Sequence, residues 1–237
     1  MNLILLQKIA NYAIELIFPK KCLVCGQFGD WLCSNCVRNT RVQTKQYCLV
    51  CNQSSVNGLT HPACVTKNTV DGIFIAGCFE QLQDLIHAFK YSLVKDLAEQ
   101  LVLVYENFIK QNNLENFISS FCVTPVPLHQ SRLRWRGFNQ SELLAKNFAQ
   151  RFNLPFYKAV LKRTKNTLPQ TKLDRSHRKA NVSGAFASQS ITNKIVRGKN
   201  ILLIDDVCTT GATLNECAKI LKKSDAKTVW GLVLARG

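Results

Sequence analysis

A chain of 237 residues is long enough to bury a full core, and a hydrophobic fraction of 46% is that of a globular protein, which excludes a disordered or fibrous chain. The net charge is +16, from 31 Lys and Arg against 15 Asp and Glu. Of these, 16 basic residues and only two acidic ones, Glu142 and Asp174, fall between Pro125 and Lys199, and such asymmetry points to a polyanion, either a phosphorylated ligand or a nucleic acid or both.

The first predicted element is an amphipathic helix within residues 1–20. Leu3, Leu6, Ile9, Ala10, Ala13, Ile14, Ile17 and Phe18 recur at helical spacing, with Lys8, Asn11 and Glu15 opposite them, and Pro19 ends the pattern. This face is expected to pack on the protein's own body, because its polar side is not basic enough for a membrane-surface helix. Lys8 and Glu15 interrupt the apolar run and no small-residue cleavage site follows, so it does not read as a signal peptide. No uninterrupted run reaches membrane-spanning length. The expected location is the cytoplasm.

Residues 21–68 read as a metal module. Seven of the 11 cysteines lie between Cys22 and Cys64. In a reducing compartment clustered thiols indicate metal rather than disulfides. Cys22-x-x-Cys25 and Cys33-x-x-Cys36 supply four thiolates for one tetrahedral zinc ion. Cys48-x-x-Cys51 and His61-x-x-Cys64 form a second quartet for a second ion. The pairs are taken as sequential; an interleaved arrangement fits the same spacing. So short and polar a module needs the metal for much of its stability.

Residues 69–237 form the third unit, read as an α/β domain. Asp71 to Phe79 alternates as a strand, and Leu82 to Phe108 reads as helix with a break around Tyr91 to Leu93. Lys90 is weighed as a ligand-facing cation, with a solvated lysine preferred. Phe121 to Val126 is a buried strand, followed by a basic loop in which Arg132, Arg134 and Arg136 alternate with Leu133 and Trp135. Guanidinium forks suit phosphate. Trp135 and Phe138 are candidates to stack on bases, as in single-strand binding; Trp135 as a core residue is an equal reading. Ser141 to Phe152 is a helix. Leu161 to Phe186 is a polar, basic span read as a functional loop, and it holds Arg163, Gln170, Leu173, Arg175, Arg178 and Asn181. Lys227 to Leu234 is the last strand.

The most informative stretch is Ile201 to Thr213. Four apolar residues, Ile201 to Ile204, indicate a buried parallel strand. Asp205 and Asp206 follow, then Thr209, Thr210, Gly211, Ala212 and Thr213, then a helical pattern. Strand, acidic pair, hydroxyl-rich turn and helix is the layout of a phosphate site at the carboxyl end of a strand. Paired carboxylates repel phosphate, but they suit vicinal hydroxyls or a Mg²⁺ ion bridging to them.

This stretch resembles the 5-phosphoribosyl 1-pyrophosphate (PRPP) signature of type I phosphoribosyltransferases. By that resemblance Asp205 and Asp206 hold the ribose hydroxyls, Thr209 to Thr213 cradle the 5′-phosphate, and Mg²⁺ accompanies PRPP. The loop after Val126 then takes the pyrophosphate position, and the span before the signature strand that of the hood over PRPP. With Pro125-Val-Pro-Leu128, Arg136-Gly-Phe-Asn-Gln140, Gln170-x-x-Leu173, Arg178-x-x-Asn181 and the cysteine pairs, the chain as a whole resembles the ComF family of competence proteins. Where relatives often carry Cys-x-x-Cys last, His61 and Cys64 stand here. The resemblance implies a type I phosphoribosyltransferase-like parallel sheet flanked by helices, with a small N-terminal zinc module. It also implies a role in natural transformation, handling incoming single-stranded DNA in the cytoplasm with other DNA-uptake proteins as possible partners. The alternative is an active phosphoribosyltransferase with an unidentified acceptor.

Overall fold

The computed structural model describes residues 19–91, 95–167, 180–189 and 191–237. The N-terminal helix expected over 3–18 and the candidate residues Gln170, Leu173, Arg175 and Arg178 lie outside them. Four strands, β1 (Gly72–Ile75), β2 (Phe121–Pro125), β5 (Asn200–Cys208) and β6 (Thr228–Arg236), form a parallel sheet in the order β1-β6-β5-β2. A separate antiparallel pair joins β3 (Leu161–Arg163) and β4 (Phe186–Ser188). Among the described residues the α-helices are α1 (Ser34–Arg38), α2 (Phe79–Tyr91), α3 (Leu97–Gln111), α4 (Glu115–Ile118), α5 (Gln130–Arg136), α6 (Gln140–Arg151), α7 (Thr192–Val196) and α8 (Ala212–Lys223).

Parallel neighbours require crossover helices, and these cover both faces of the sheet. That is why Ile201 to Ile204 form an unbroken apolar run rather than an alternation. Leu202 and Ile204 join Leu101, Tyr105, Leu144 and Phe148 of α3 and α6 in one core. Ile201 and Leu203 join Leu214, Cys217 and Leu221 of α8 in the other. All four strand residues are at most 1% exposed.

The metal segment covers the outer edge of β1. Val42 and Leu59 bridge to Gly77 and Gly72. The Gln46 amide accepts from Ile75 N at 2.9 Å and donates to Ile75 O at 3.0 Å. An exposed strand edge invites foreign strands, and this segment closes it. The segment also contributes to the main core: Leu32 and Val37 are buried with α3, and Asn107 of α3 donates to Val37 O at 3.1 Å. A module expected to lack a core of its own therefore shares that of the sheet.

Three expectations are corrected. The strand expected from Asp71 to Phe79 ends its ladder at Ile75; single bonds from Ala76 and Gly77 to β6 continue, and Phe79 opens α2. The basic segment after Val126 is not all loop. The His129 side chain caps the Ser131 N–H, and Gly137, at φ +76°, closes α5 in the left-handed conformation open to glycine. The polar span from Leu161 to Phe186 begins and ends in strands that pair with each other.

Candidate functional site

β5 delivers Asp205 and Asp206 to the carboxyl edge of the sheet, where open parallel sheets bind ligands. The Ser141 hydroxyl donates to Asp205 Oδ1 at 2.8 Å, and the Asp206 N–H donates to the same oxygen at 3.0 Å. Burial, and next the charge of Asp206, push the Asp205 carboxyl up to about 7. Asp206 is paired with Lys90 Nζ at 3.0 Å. Beneath the pair, the buried Tyr105 hydroxyl donates to the Asp205 carbonyl at 2.8 Å. Burial first, then the charges of Asp206 and Asp205, raise that phenol well above its usual value, so it stays a donor.

After Cys208 the chain turns through Thr209 and Thr210 to Gly211, the N-cap of α8, at φ +76°. Asp205, Thr209, Gly211 and Thr213 line a small cavity at this helix start. The first backbone N–H groups of a helix have no intrahelical partner and suit an anion.

Opposite the turn stands a basic wall. Lys90, Arg132, Arg136 and Arg163 line a larger cleft of about 210 Å³ with both aspartates, Thr209 and Thr213. In a helix residues three or four apart share a face and residues two apart do not, so Arg132 and Arg136 meet the cleft while Arg134 faces solvent. Arg132 donates to Thr167 O at 2.6 Å, tying α5 to the segment after β3. Burial, then Arg136, lower the Arg132 pKa; burial, then Arg132, lower that of Arg163. Arg136 donates to Gln140 Oε1 at 2.7 Å. Among the described residues, three buried side-chain polar atoms have no partner: Arg136 Nε, Gln140 Nε2 and Arg163 Nε. All three residues line this cleft.

At the rim, Trp135 is 69% exposed and Tyr91 47% exposed. Their rings lie 6.2 Å apart, and the Arg136 guanidinium lies 5.4 Å from the Tyr91 ring and 5.9 Å from that of Trp135. Of the two readings of Trp135, the structure excludes the core. Phe138 is the correction: it is 6% exposed, packed 5.8 Å from Phe89, and cannot stack on a base.

Each metal quartet comes together sequentially. In each, the ligand atoms lie within 4.8 Å of one another, and a tetrahedron with bonds of about 2.3 Å has edges of about 3.8 Å, so both donor sets fit zinc. Cys25 and Cys33 sulfurs are 3.7 Å apart, and Cys51 Sγ is 3.3 Å from His61 Nδ1. His61 Nε2 lies 3.1 Å from the Ser54 carbonyl, the outer contact that orients a ligating imidazole. Burial raises the Cys22 thiol, but hydrogen bonds from the Cys33, Cys25 and Val24 backbone outweigh it and bring it to about 6. Cys48, likewise opposed by burial, is lowered to about 7 by the Cys51, His61 and Val50 backbone. A thiolate is thus available in each quartet near neutral pH. Four protein ligands leave no open position, which makes both sites structural.

Over 213 residues the chain is 30% identical to competence protein F of Haemophilus influenzae, covering 86% of this chain and 90% of that one. The chain belongs to the ComF family. It is also 29% identical over 229 residues to the DNA utilization protein YhgH of Escherichia coli, covering 93% of this chain and 99% of that one. With competence protein ComFC of Streptococcus pneumoniae it shares 30% identity over 211 residues, 89% of this chain and 83% of that one. A phosphoribosyl transferase domain model matches residues 139–237, and a double zinc ribbon domain model matches residues 13–65. Among solved structures, the allosteric regulatory enzyme of purine biosynthesis aligns with 60% of this chain and 25% of its own at 18% identity, with a TM-score of 0.36. Among the described residues no helix is long and apolar enough to cross a membrane.

In this ComF chain the sequence reading located the acidic pair, the turn and both zinc quartets, but not every wall of the cleft. Lys90, read as solvated, is inside it. Ser141, Tyr91 and Tyr105 carried no local signal; they arrive from α6, α2 and α3. Arg163 was visible only as one basic residue among many.

Proposed function

We propose that this ComF chain binds PRPP in the cleft and handles incoming single-stranded DNA during natural transformation, in the cytoplasm. The turn from Thr209 through Thr210, Gly211 and Ala212 to Thr213 takes the 5′-phosphate. Asp205 and Asp206 take the ribose hydroxyls, and Arg132, Arg136 and Arg163 face the pyrophosphate. Carboxylate oxygens are donors that Mg²⁺ accepts, and the ion bound with PRPP supplies charge neutralisation at the pyrophosphate. The observation that carries the reading is the set of unpartnered donors on Arg136, Gln140 and Arg163, three residues that line one cleft. Buried donors left unpaired are costly, and a polyanion satisfies them together. Arg132, Arg134 and Arg136 with exposed Trp135 and Tyr91 offer a single strand both charge and ring faces. Relatives named for competence and DNA utilization support this second half.

Isothermal calorimetry with PRPP and Mg²⁺ tests the first half: saturable binding by the wild type is expected, and its absence refutes it. A second reading, transfer of ribose 5-phosphate to an unidentified acceptor, draws on the same complete turn. Such a reaction needs chiefly positioning and charge stabilisation, so the missing base does not count against it. Pyrophosphate release in the presence of single strands or nucleobases separates catalysis from binding.

A further inference from the structure

The second metal quartet lies behind the phosphate turn. Leu49, inside the Cys48-x-x-Cys51 knuckle, is 3% exposed. A Cβ on Gly211 would fall 2.2 Å from Leu49 Cγ, so the Leu49 side chain fills the space that the missing side chain leaves. Leu49 shares an apolar cluster with Cys208, Ala212 and Leu214, the residues that flank the turn. A second tie runs from just beyond the ligand Cys64: Val70 N donates to Asn215 Oδ1, in the first turn of α8, at 3.0 Å. The knuckle is itself closed by backbone bonds, Cys48 N to Gln53 O and Asn52 N to Cys48 O, each 2.9 Å. The turn thus has the ligand cleft on its front and the knuckle on its back.

We propose that Leu49 is a positioning residue for the phosphate turn, and that the quartet of Cys48, Cys51, His61 and Cys64 holds the turn through it. Gly211 in the left-handed conformation has the freedom of glycine, and a turn free to sample other conformations must be ordered when the anion arrives. Leu49 removes that freedom beforehand. A metal-free knuckle releases Leu49, and the ordering cost then falls on ligand binding.

The proposal rests on the reading of Thr209 to Thr213 as a phosphate site, so the test has two arms, both on the full chain. Hydrogen exchange of the 208–214 amides reports the turn directly, and calorimetry with PRPP and Mg²⁺ reports binding. Leu49→Ala should retain both zinc ions by metal analysis, speed exchange at 209–213, and weaken PRPP binding roughly tenfold. Leu49→Met should restore both. His61→Ala should lose one ion and show the same two effects, whereas Val24→Ala in the first knuckle should show neither. Where Leu49→Ala fails to fold, Leu49→Val, one methylene shorter, is read in the same way. Wild-type exchange at 209–213 in the Leu49 variant overturns the proposal. If the wild type does not bind PRPP, the phosphate reading fails, and the exchange arm still decides whether Leu49 holds the turn.

Discussion

The two zinc quartets share one chemistry but lean on different parts of the molecule. The first sits on α3: Leu32 N donates to Gln100 Oε1 at 2.9 Å, and Cys22, Cys33, Cys36, Leu32 and Val37 belong to the larger core. The second lies along the β1 edge and behind the turn from Thr209 to Thr213, where Leu49 meets Gly211. A ligand set buried in a core matters for folding. On the proposal made above, a ligand set behind a turn matters for what the turn binds. The contrast shows that two ligand sets of similar chemistry can rest on different parts of one fold.

The largest expected effect comes from breaking the first site. Structural zinc contributes on the order of 10 kcal/mol in small zinc domains, so Cys22→Ser should abolish cooperative thermal unfolding or send the protein into aggregates. A variant that melts like the wild type would erase the distinction between the quartets. Asp205→Asn with Asp206→Asn should come next: PRPP binding is lost in calorimetry while the melting transition survives, because the strand below keeps its apolar contacts.

The α5 arginines refine the comparison within the cleft. Arg132→Ala with Arg136→Ala should weaken PRPP binding, since both face the cleft. Arg134→Ala should spare PRPP and flatten the log–log salt dependence of single-strand binding by roughly 0.7, the value of one phosphate contact. Trp135→Ala should lower single-strand affinity by about 1–3 kcal/mol with the slope unchanged, because stacking releases no ions. Equal salt slopes in wild type and all of these variants would move the DNA surface elsewhere, the zinc module being the next place to look.

A further effect is a pH slope. The folded value of Asp205, about 7, lies above its ordinary 3.8. Between these values the folded protein holds a proton that the unfolded chain has shed, so ligand-free stability falls as pH rises through that window. Asp205→Asn should flatten this slope in denaturant titrations. An unchanged slope would place the titrating group elsewhere.

Much of the fold was legible because its signals are local. Ile201 to Ile204 is apolar throughout because both faces of β5 are covered, and the acidic pair and glycine turn follow without a gap. The zinc quartets were legible because C-x-x-C spacing alone brings two sulfurs to one ion. The helix α5 had signals too, His129 and Gly137, but the alternation of arginines with Leu133 and Trp135 reads equally as extended chain. Only the bond of the His129 side chain to the Ser131 N–H and the φ of Gly137 decide it.

What the sequence determined by itself is therefore the set of short-range devices: strand, turn, acidic pair, metal knuckles and the concentration of positive charge. Tertiary structure alone decided how they face each other. Lys90 reaches Asp206 from α2 and Arg163 reaches the same cleft from β3, while Phe138 turns away into the core. Leu49 comes to rest on Gly211 across more than half the chain. Such contacts leave no periodicity in the sequence. They arise when packed elements bring distant side chains into one volume, and the geometry of that packing is set by the core as a whole.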